Sequence, residues 1–258
     1  MSVEAAAAFL LAAHRAGRHF ERLPADIAPR SENEAYRVQE ALIAGLSLPV
    51  AGWKVALTSA AMRRVVPGID QPCAGAIFAE RVHHAPARLP RAALMRIGIE
   101  CEAMVRLADD LPDTGRPWTR ESVAGHVGAV AAAFELIDDR NADYNNMDAF
   151  ELIADNAWNG GAVVGPEISD WRARDLAGAR GSLEIDGRFV GEGRGGDAMG
   201  HPFEPLAWLA NNAITRGRPL RAGEIVMTGS IIPTQFLETG SRAVYIHETL
   251  GQVALEIV

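Results

Sequence analysis

Residues 97–106 read Ile97-Gly98-Ile99-Glu100-Cys101-Glu102-Ala103-Met104-Val105-Arg106. Ile97, Ile99, Cys101, Ala103 and Val105 alternate with Gly98, Glu100, Glu102, Met104 and Arg106, a period of two that predicts a β-strand. Successive strand side chains point to opposite faces, so Glu100 and Glu102 share a face, one strand repeat apart. Like charges that close repel each other, more so in a partly buried site. A hard divalent cation such as Mg²⁺ or Mn²⁺ between them would relieve the repulsion, because these ions prefer oxygen ligands. A solvated strand face with two free carboxylates satisfies the same spacing.

Around this stretch, a chain of 258 residues, 48% apolar and 22% charged, has the length and balance of a soluble globular protein with a sizeable core. Its net charge of -8 argues against nucleic acid or an anionic membrane surface as a main partner. The two cysteines, Cys73 and Cys101, are too few for a disulfide framework, and a reducing cytoplasm is the default. The apolar run at residues 5–13 follows Glu4, and no cation comes before His14 and Arg15, which is wrong for a secretory signal. It also falls short of the roughly 20 residues that span a bilayer. It reads as an amphipathic helix.

Helical periodicity covers residues 3–16 and 32–46, the second opened by Ser31 as N-cap with Glu34 three residues on. This predicts a helical arm over residues 1–50, ahead of a β-rich unit over residues 51–258. A strand follows at residues 51–59 and carries Lys54, which either snorkels from an edge or sits near carboxylates to orient an anionic substrate. Residues 62–90, broken at Pro67-Gly68 and Pro72, predict a mobile cover. A short helix is expected at 121–128, an apolar segment at 130–138, and a helical turn at 148–154. The glycines at 160, 161 and 165 do not form a phosphate loop, since the Gly-Lys-Ser/Thr ending is absent. Asp186-Gly187 marks a hairpin turn, residues 202–214 a helix, and 224–230, 242–248 and 252–258 strands. Many short strands and few helices make the class α+β.

Four segments, GWKVALTS (52–59), IGIECEAMVRL (97–107), AFELIDDR (133–140) and ADNAWNGGAVVG (154–165), carry a resemblance, joined by the stretch 205–230 that ends in TGS. In this order, over nearly the whole chain, they resemble the 2-keto-4-pentenoate hydratase family within the fumarylacetoacetate hydrolase superfamily. The resemblance implies a mixed, rolled β-sandwich core and an octahedral Mg²⁺ or Mn²⁺ site held by Glu100, Glu102 and Glu135. It makes Lys54 the active-site lysine, serving substrate and not the fold, and Asp155 a second catalytic position. An Asp-Asn pair such as Asp155-Asn156 also serves the backbone in ordinary turns. Thr228, Gly229 and Ser230 match a pocket-lining segment, although turn chemistry explains the same residues. Cys73 falls on a substrate-binding position where many hydratases carry aspartate after Gln-Pro. Two further departures are Ala56 in place of glycine, and Asn159 near a position where a small hydroxyl residue is frequent.

The activity implied is a metal-dependent hydratase. It would add water to a 2-oxo or 2-hydroxydienoic acid such as 2-keto-4-pentenoate in the breakdown of aromatic compounds. Lewis-acid stabilisation of the 2-oxo oxygen and charge offset by Lys54 would support it. A related 4-oxalocrotonate decarboxylase is the alternative, favoured by Cys73, whose thiol is a poor base at neutral pH. The TGSIIP segment (228–233) favours the hydratase. An acylpyruvate C–C hydrolase would need a water-activating histidine, for which His83, His84 and His201 are the candidates. A non-catalytic partner subunit is the fourth reading. The expected partners are a small-molecule substrate, further copies of the chain and a pathway enzyme.

Overall fold

The computed structural model describes residues 2–66 and 68–258. Pro67, one of the breaks noted above, lies outside them. Helices α1 (Val3–Arg15) and α2 (Glu32–Leu46) lead to β1 (Val50–Ala56), α3 (Ala60–Val65), β2 (Cys73–Phe78), β3 (Val82–His84), β4 (Ala87–Leu89) and β5 (Ile97–Leu107). Next come α4 (Arg120–Ala124), β6 (Val127–Ile137), α5 (Ala149–Ala154) and β7 (Asn159–Val164). The chain continues through β8 (Arg180–Ile185), β9 (Arg188–Arg194), α6 (Phe203–Thr215), β10 (Ile225–Met227), β11 (Gln235–Leu237), β12 (Arg242–His247) and β13 (Gly251–Ile257).

Ser2 and Ser31 cap α1 and α2, their hydroxyls accepting from the backbone N–H of Ala5 and Glu34. Ala6 and Leu10 of α1 bury against Val38 and Leu42 of α2 and Ala154 of α5. Full burial of each leucine contributes about 1.5–3 kcal/mol, more than a capping bond does. Two polar side chains of α2 reach further. Gln39 donates to the carbonyls of Ala74 and Ile153, each at 2.8 Å, and the Tyr36 hydroxyl accepts from Ala74 N–H. The helices are thus bonded into the sheet they cover.

Two sheets make up the rest. The eight-stranded one runs β2-β1-β10-β5-β6-β7-β3, with β11 added on β5; the five-stranded one runs β4-β13-β12-β8-β9. Three parallel pairs (β1 with β10, β3 with β7, β4 with β13) mix with antiparallel ones, so the sheets are mixed. The sheets meet through side chains such as Phe134 of β6 and Tyr245 of β12, with ring centroids 6.1 Å apart. On β5 the odd-numbered side chains Ile97 to Val105 join the main core. The even-numbered face carries Glu100 and Glu102, then Met104 in a small apolar cluster with Ala131 and Ala133 of β6.

Some expectations change. Residues 62–90 hold a helix and three strands instead of a long cover. All six residues of β2 are buried, so its sequence shows no alternation. The helix expected at 121–128 ends at Ala124, and β6 begins at Val127. The strand expected over 224–230 stops at Met227, because Gly229 at φ 101° turns the backbone out of the sheet. Among the described residues no helix is long and apolar enough to cross a membrane.

Candidate active site

The pairing of β5 with β6 assembles the charged cluster. Glu100 stands directly opposite Glu135, and Glu102 lies one repeat further along opposite Ala133. Like charges facing each other across a ladder are destabilising, so this register needs a compensating partner. One oxygen from each of Glu100, Glu102 and Glu135 lies within 4.8 Å of the others. Glu102 and Glu135 are buried and Glu100 is half-buried.

Each carboxylate is gripped on one side only. Glu102 Oε2 accepts from the backbone N–H of Gly229 at 2.7 Å. Glu135 Oε1 accepts from Lys54 Nζ at 2.9 Å and Asn159 Nδ2 at 3.0 Å. Glu100 Oε1 accepts from the Thr234 hydroxyl. Glu102 Oε1 and Glu135 Oε2 are buried without a protein partner. A bare buried carboxylate oxygen costs several kcal/mol. Burial, reinforced by the charges of Glu135 and Glu100, holds the Glu102 carboxyl well above the ordinary glutamate range. Burial raises Glu135 too, against the opposing pull of the Lys54 ammonium. For Lys54 itself, burial pulls the pKa down, but Glu135 and Glu100 outweigh it and hold it above the ordinary lysine value. Three hard oxygen ligands on one face, two of them with an unclaimed buried oxygen, fit a divalent cation of the Mg²⁺ or Mn²⁺ type.

Lys54 is neither an edge residue nor a snorkelling one. It sits mid-sheet on β1, opposite Met227 of β10 and Gly75 of β2, and is 2% exposed. Its ion pair with Glu135 ties it to the fold as well as to the site, which revises the expectation that it serves substrate alone. Gly229 is confined to glycine, since a Cβ there would lie 2.5 Å from the Thr58 side chain.

A cavity of about 550 Å³ opens beside the cluster. Lys54, Glu100, Thr58, Ser230 and Thr234 line it with polar groups, and Leu57, Met147, Leu152, Trp158 and Ile232 with apolar ones. Six expected site residues lie outside its wall: Glu102, Glu135 and Gly229, which belong to the cluster beside it, and Thr228, Cys73 and Asp155. Thr228 is buried and donates its hydroxyl to the Ala103 carbonyl at 2.8 Å. Cys73 is fully buried, opposite Ala56 in the ladder, and burial pushes its thiol up to about 12. Asp155 is buried between Arg140 and His14, whose Nε2 lies 2.7 Å from Oδ1, so it joins α1 to the body of the protein. The histidines at 83, 84 and 201 do not line the cavity.

The loop after Asp155 supplies what sequence reading missed. Asn156, Ala157 and Trp158 take φ values of 55°, 50° and 53°, a left-handed run without glycine. Asn156 holds it by bonding both the N–H and the carbonyl of Ala76, at 2.7 and 2.9 Å. The run aims Trp158 at the cavity and leads to Asn159, the second donor to Glu135. Thr234, Tyr144 and Asp197 also line the cavity, and no motif announced them.

The fumarylacetoacetate (FAA) hydrolase C-terminal family model matches residues 59–258. A 2-keto-4-pentenoate hydratase of Burkholderia vietnamiensis is 33% identical over 205 residues, 79% of this chain and 76% of that one. A 2-hydroxyhexa-2,4-dienoate hydratase of Comamonas testosteroni is 32% identical over 209 residues, 80% and 78% of the two chains. The structure of 4-oxalocrotonate decarboxylase from Pseudomonas putida G7, complexed with magnesium and adipate, superposes with a TM-score of 0.90 at 24% identity, covering 99% of this chain and 97% of that one. At that identity the superposition speaks for the fold. With the matched segment spanning most of the chain, this protein belongs to the fumarylacetoacetate hydrolase superfamily and, within it, to the 2-keto-4-pentenoate hydratase family.

Proposed function

We propose that the chain is a divalent-metal-dependent hydro-lyase that adds water to a 2-hydroxydienoic acid or its 2-oxo tautomer, of the 2-keto-4-pentenoate type, in the breakdown of aromatic compounds. The observation that carries this is the pair of bare, buried oxygens of Glu102 and Glu135 in one cluster with Lys54 and Glu100, which line the cavity. The hydratase names of relatives more than 30% identical over most of their length support it. Glu100, Glu102 and Glu135 would hold the cation, which when bound supplies Lewis acidity to the 2-oxo oxygen of the substrate.

The protein's own groups account for binding and proton movement. Three glutamates and one divalent ion leave a charge of about −1, which the substrate carboxylate would double; the Lys54 ammonium offsets it. One ammonium proton meets Glu135, and the others are free to meet the substrate carboxylate. Water adds across the γ,δ-alkene, its hydroxyl to C4 and a proton to C5. Among the described lining residues Asp197 is the carboxylate outside the glutamate cluster, so it is the acceptor for the proton that the attacking water gives up. Asn159 and the Gly229 N–H orient Glu135 and Glu102 so that their free oxygens stay available.

Residues 1–50 would act as a helical arm on a catalytic unit of residues 51–258 built as a rolled β-sandwich. Two free, buried cysteines suit a reducing cytoplasm. Phe189, 64% exposed on the edge strand β9, suits self-association.

Incubating the Mg²⁺-loaded protein with 2-hydroxypenta-2,4-dienoate and, separately, with 2-oxohex-3-enedioate tests the activity. The expected result is loss of the dienoate with formation of a 4-hydroxylated product. Release of CO₂ from the second compound without hydration of the first would replace the hydratase by a decarboxylase.

A further inference from the structure

Trp158 lines two cavities, and the hydration chemistry uses only one of them. The second, of about 410 Å³, is walled by His14 at the end of α1, Arg81, residues 92–95, Asp138, Arg140, Trp158 and Asn159. Three of these side chains are buried yet hold polar atoms that have no partner among the described residues. Arg140, 4% exposed, gives Nη2 to Asp155, while its Nε and Nη1 are unclaimed. The Trp158 Nε1–H and the Asn159 Oδ1 are unclaimed too, each in a residue 6% exposed. The Asn159 assignment is firm: a carboxylate oxygen only accepts, so the atom that meets Glu135 is the amide nitrogen.

The acidic groups nearby are already engaged. Asp155 has one oxygen on Arg140 and the other 2.7 Å from His14 Nε2. Asp138 accepts from the backbone N–H groups of Met95, Arg96 and Arg140 at 3.2–3.3 Å. Arg81 is half-buried, with its guanidinium 5.8 Å from the centre of the Phe78 ring, and among the described residues no carboxylate pairs with it. What remains is a set of donors on Arg140, Arg81 and Trp158, with a single bare acceptor, Asn159 Oδ1. Leaving a buried guanidinium with two unclaimed nitrogens is strongly unfavourable, and an oxyanion is the partner that guanidinium geometry fits best. A ligand oxygen facing Asn159 Oδ1 must bring its own proton.

We propose that this cavity binds an oxyanion that also carries an O–H group, a hydrogenphosphate or a hydroxycarboxylate. Its charged oxygens accept from Arg140 and Arg81, and its hydroxyl donates to Asn159 Oδ1. The site adjoins the glutamate cluster through Asn159, whose Nδ2 donates to Glu135 Oε1 at 3.0 Å, and it shares none of the three glutamates.

Calorimetry on the full chain with Mg²⁺ present, in mildly alkaline buffer, tests the proposal with inorganic phosphate, sulfate, glycolate and acetate. Phosphate there is a dianion like sulfate but keeps one proton, and glycolate is acetate with a hydroxyl added. Phosphate is expected to bind at least tenfold more tightly than sulfate, or glycolate than acetate, the usual effect of one hydrogen bond to a charged group. The pair that shows the larger preference identifies the source, a phosphate or a hydroxy acid. Arg81→Gln is expected to weaken that binding at least tenfold while leaving Mg²⁺ affinity unchanged. Arg140→Lys keeps a cation for Asp155 but removes the unclaimed guanidinium N–H groups, and the same loss is expected. If that variant melts early, Arg81→Gln decides alone, since its side chain pairs with no carboxylate among the described residues. Absence of phosphate and glycolate binding in the millimolar range would overturn the proposal. So would equal affinities within both pairs, or binding unchanged in folded Arg81→Gln. None of these results bears on the hydratase reading.

Discussion

Replacing Glu102 by glutamine separates the metal site from an ordinary acidic cluster by the sign of its effect. In the metal-free protein Glu102 is a buried carboxylate with one bare oxygen, within 4.8 Å of two others. At that spacing and an effective dielectric of about 20, two like charges repel by about 3.5 kcal/mol, of which the raised pKa of Glu102 already relieves a part by favouring its neutral form. Glutamine keeps an acceptor for the Gly229 N–H, so the turn is retained. With chelator present, Glu102→Gln is therefore expected to stabilise the fold by about 1–3 kcal/mol, a rise in Tm of roughly 2–10 °C for a chain of this size. With excess Mn²⁺ the order reverses. The wild type gains stability from binding, and the variant, lacking a ligand, loses more than the roughly 10- to 100-fold in affinity that a lost supporting contact costs.

The pH dependence has a definite sign as well. Because burial raises the folded pKa of Glu102 above the ordinary value of 4.5, the folded state binds a proton more tightly than the unfolded one. Metal-free wild type should lose stability as pH climbs from about 4.5 toward that raised value, and Glu102→Gln should lose less. Thermal melts in chelator and in Mn²⁺, across pH, measure all of this. A variant that melts below wild type in chelator and still gains as much from Mn²⁺ would refute the reasoning.

Lys54→Met should lower turnover by well over tenfold. It should also destabilise the metal-free protein by about 3–5 kcal/mol, because Glu135 is left buried without its cation; urea melts with chelator read the second effect. Asn159→Ala removes one of the two donors to Glu135 Oε1 and should weaken Mn²⁺ binding about 10- to 100-fold by calorimetry, with the fold intact. Cys73, buried with its thiol pushed up to about 12, should resist alkylation at pH 8 in the native protein and react once urea is added; mass spectrometry gives the answer.

Alternation is legible where one face of a strand differs from the other, which is why β5 and its two same-face glutamates can be read from residues alone. Glu135 is different. It sits in a strand buried at every position from Ala129 to Ile137, and only the register of β5 on β6 brings it opposite Glu100, so the motif it shares with the family located it where periodicity could not. β2 is hidden for the same reason: six buried residues between sheet and helices leave no polar face to set a period. Asp155 shows the limit of motif matching. Its residue type is dictated by Arg140 and His14, a structural demand that a sequence match cannot tell from a chemical one. Thr234, Asp197 and Tyr144 come from irregular segments whose positions depend on tertiary packing, so no local pattern marks them.

The matched segment begins at residue 59, just after β1, yet β1 is an interior strand, hydrogen-bonded to β2 on one side and β10 on the other. The family model and the architecture therefore draw different borders. A graft or truncation cut at residue 59 would tear a strand from the middle of the large sheet, remove Lys54, and strip the Ala74 and Ile153 carbonyls of Gln39. Recombination within the family can exchange the stretch after residue 59 only if the incoming piece accepts the resident β1. An exchange that keeps the site whole therefore carries β1, and the helix whose Gln39 holds the neighbouring strand, along with the stretch after residue 59.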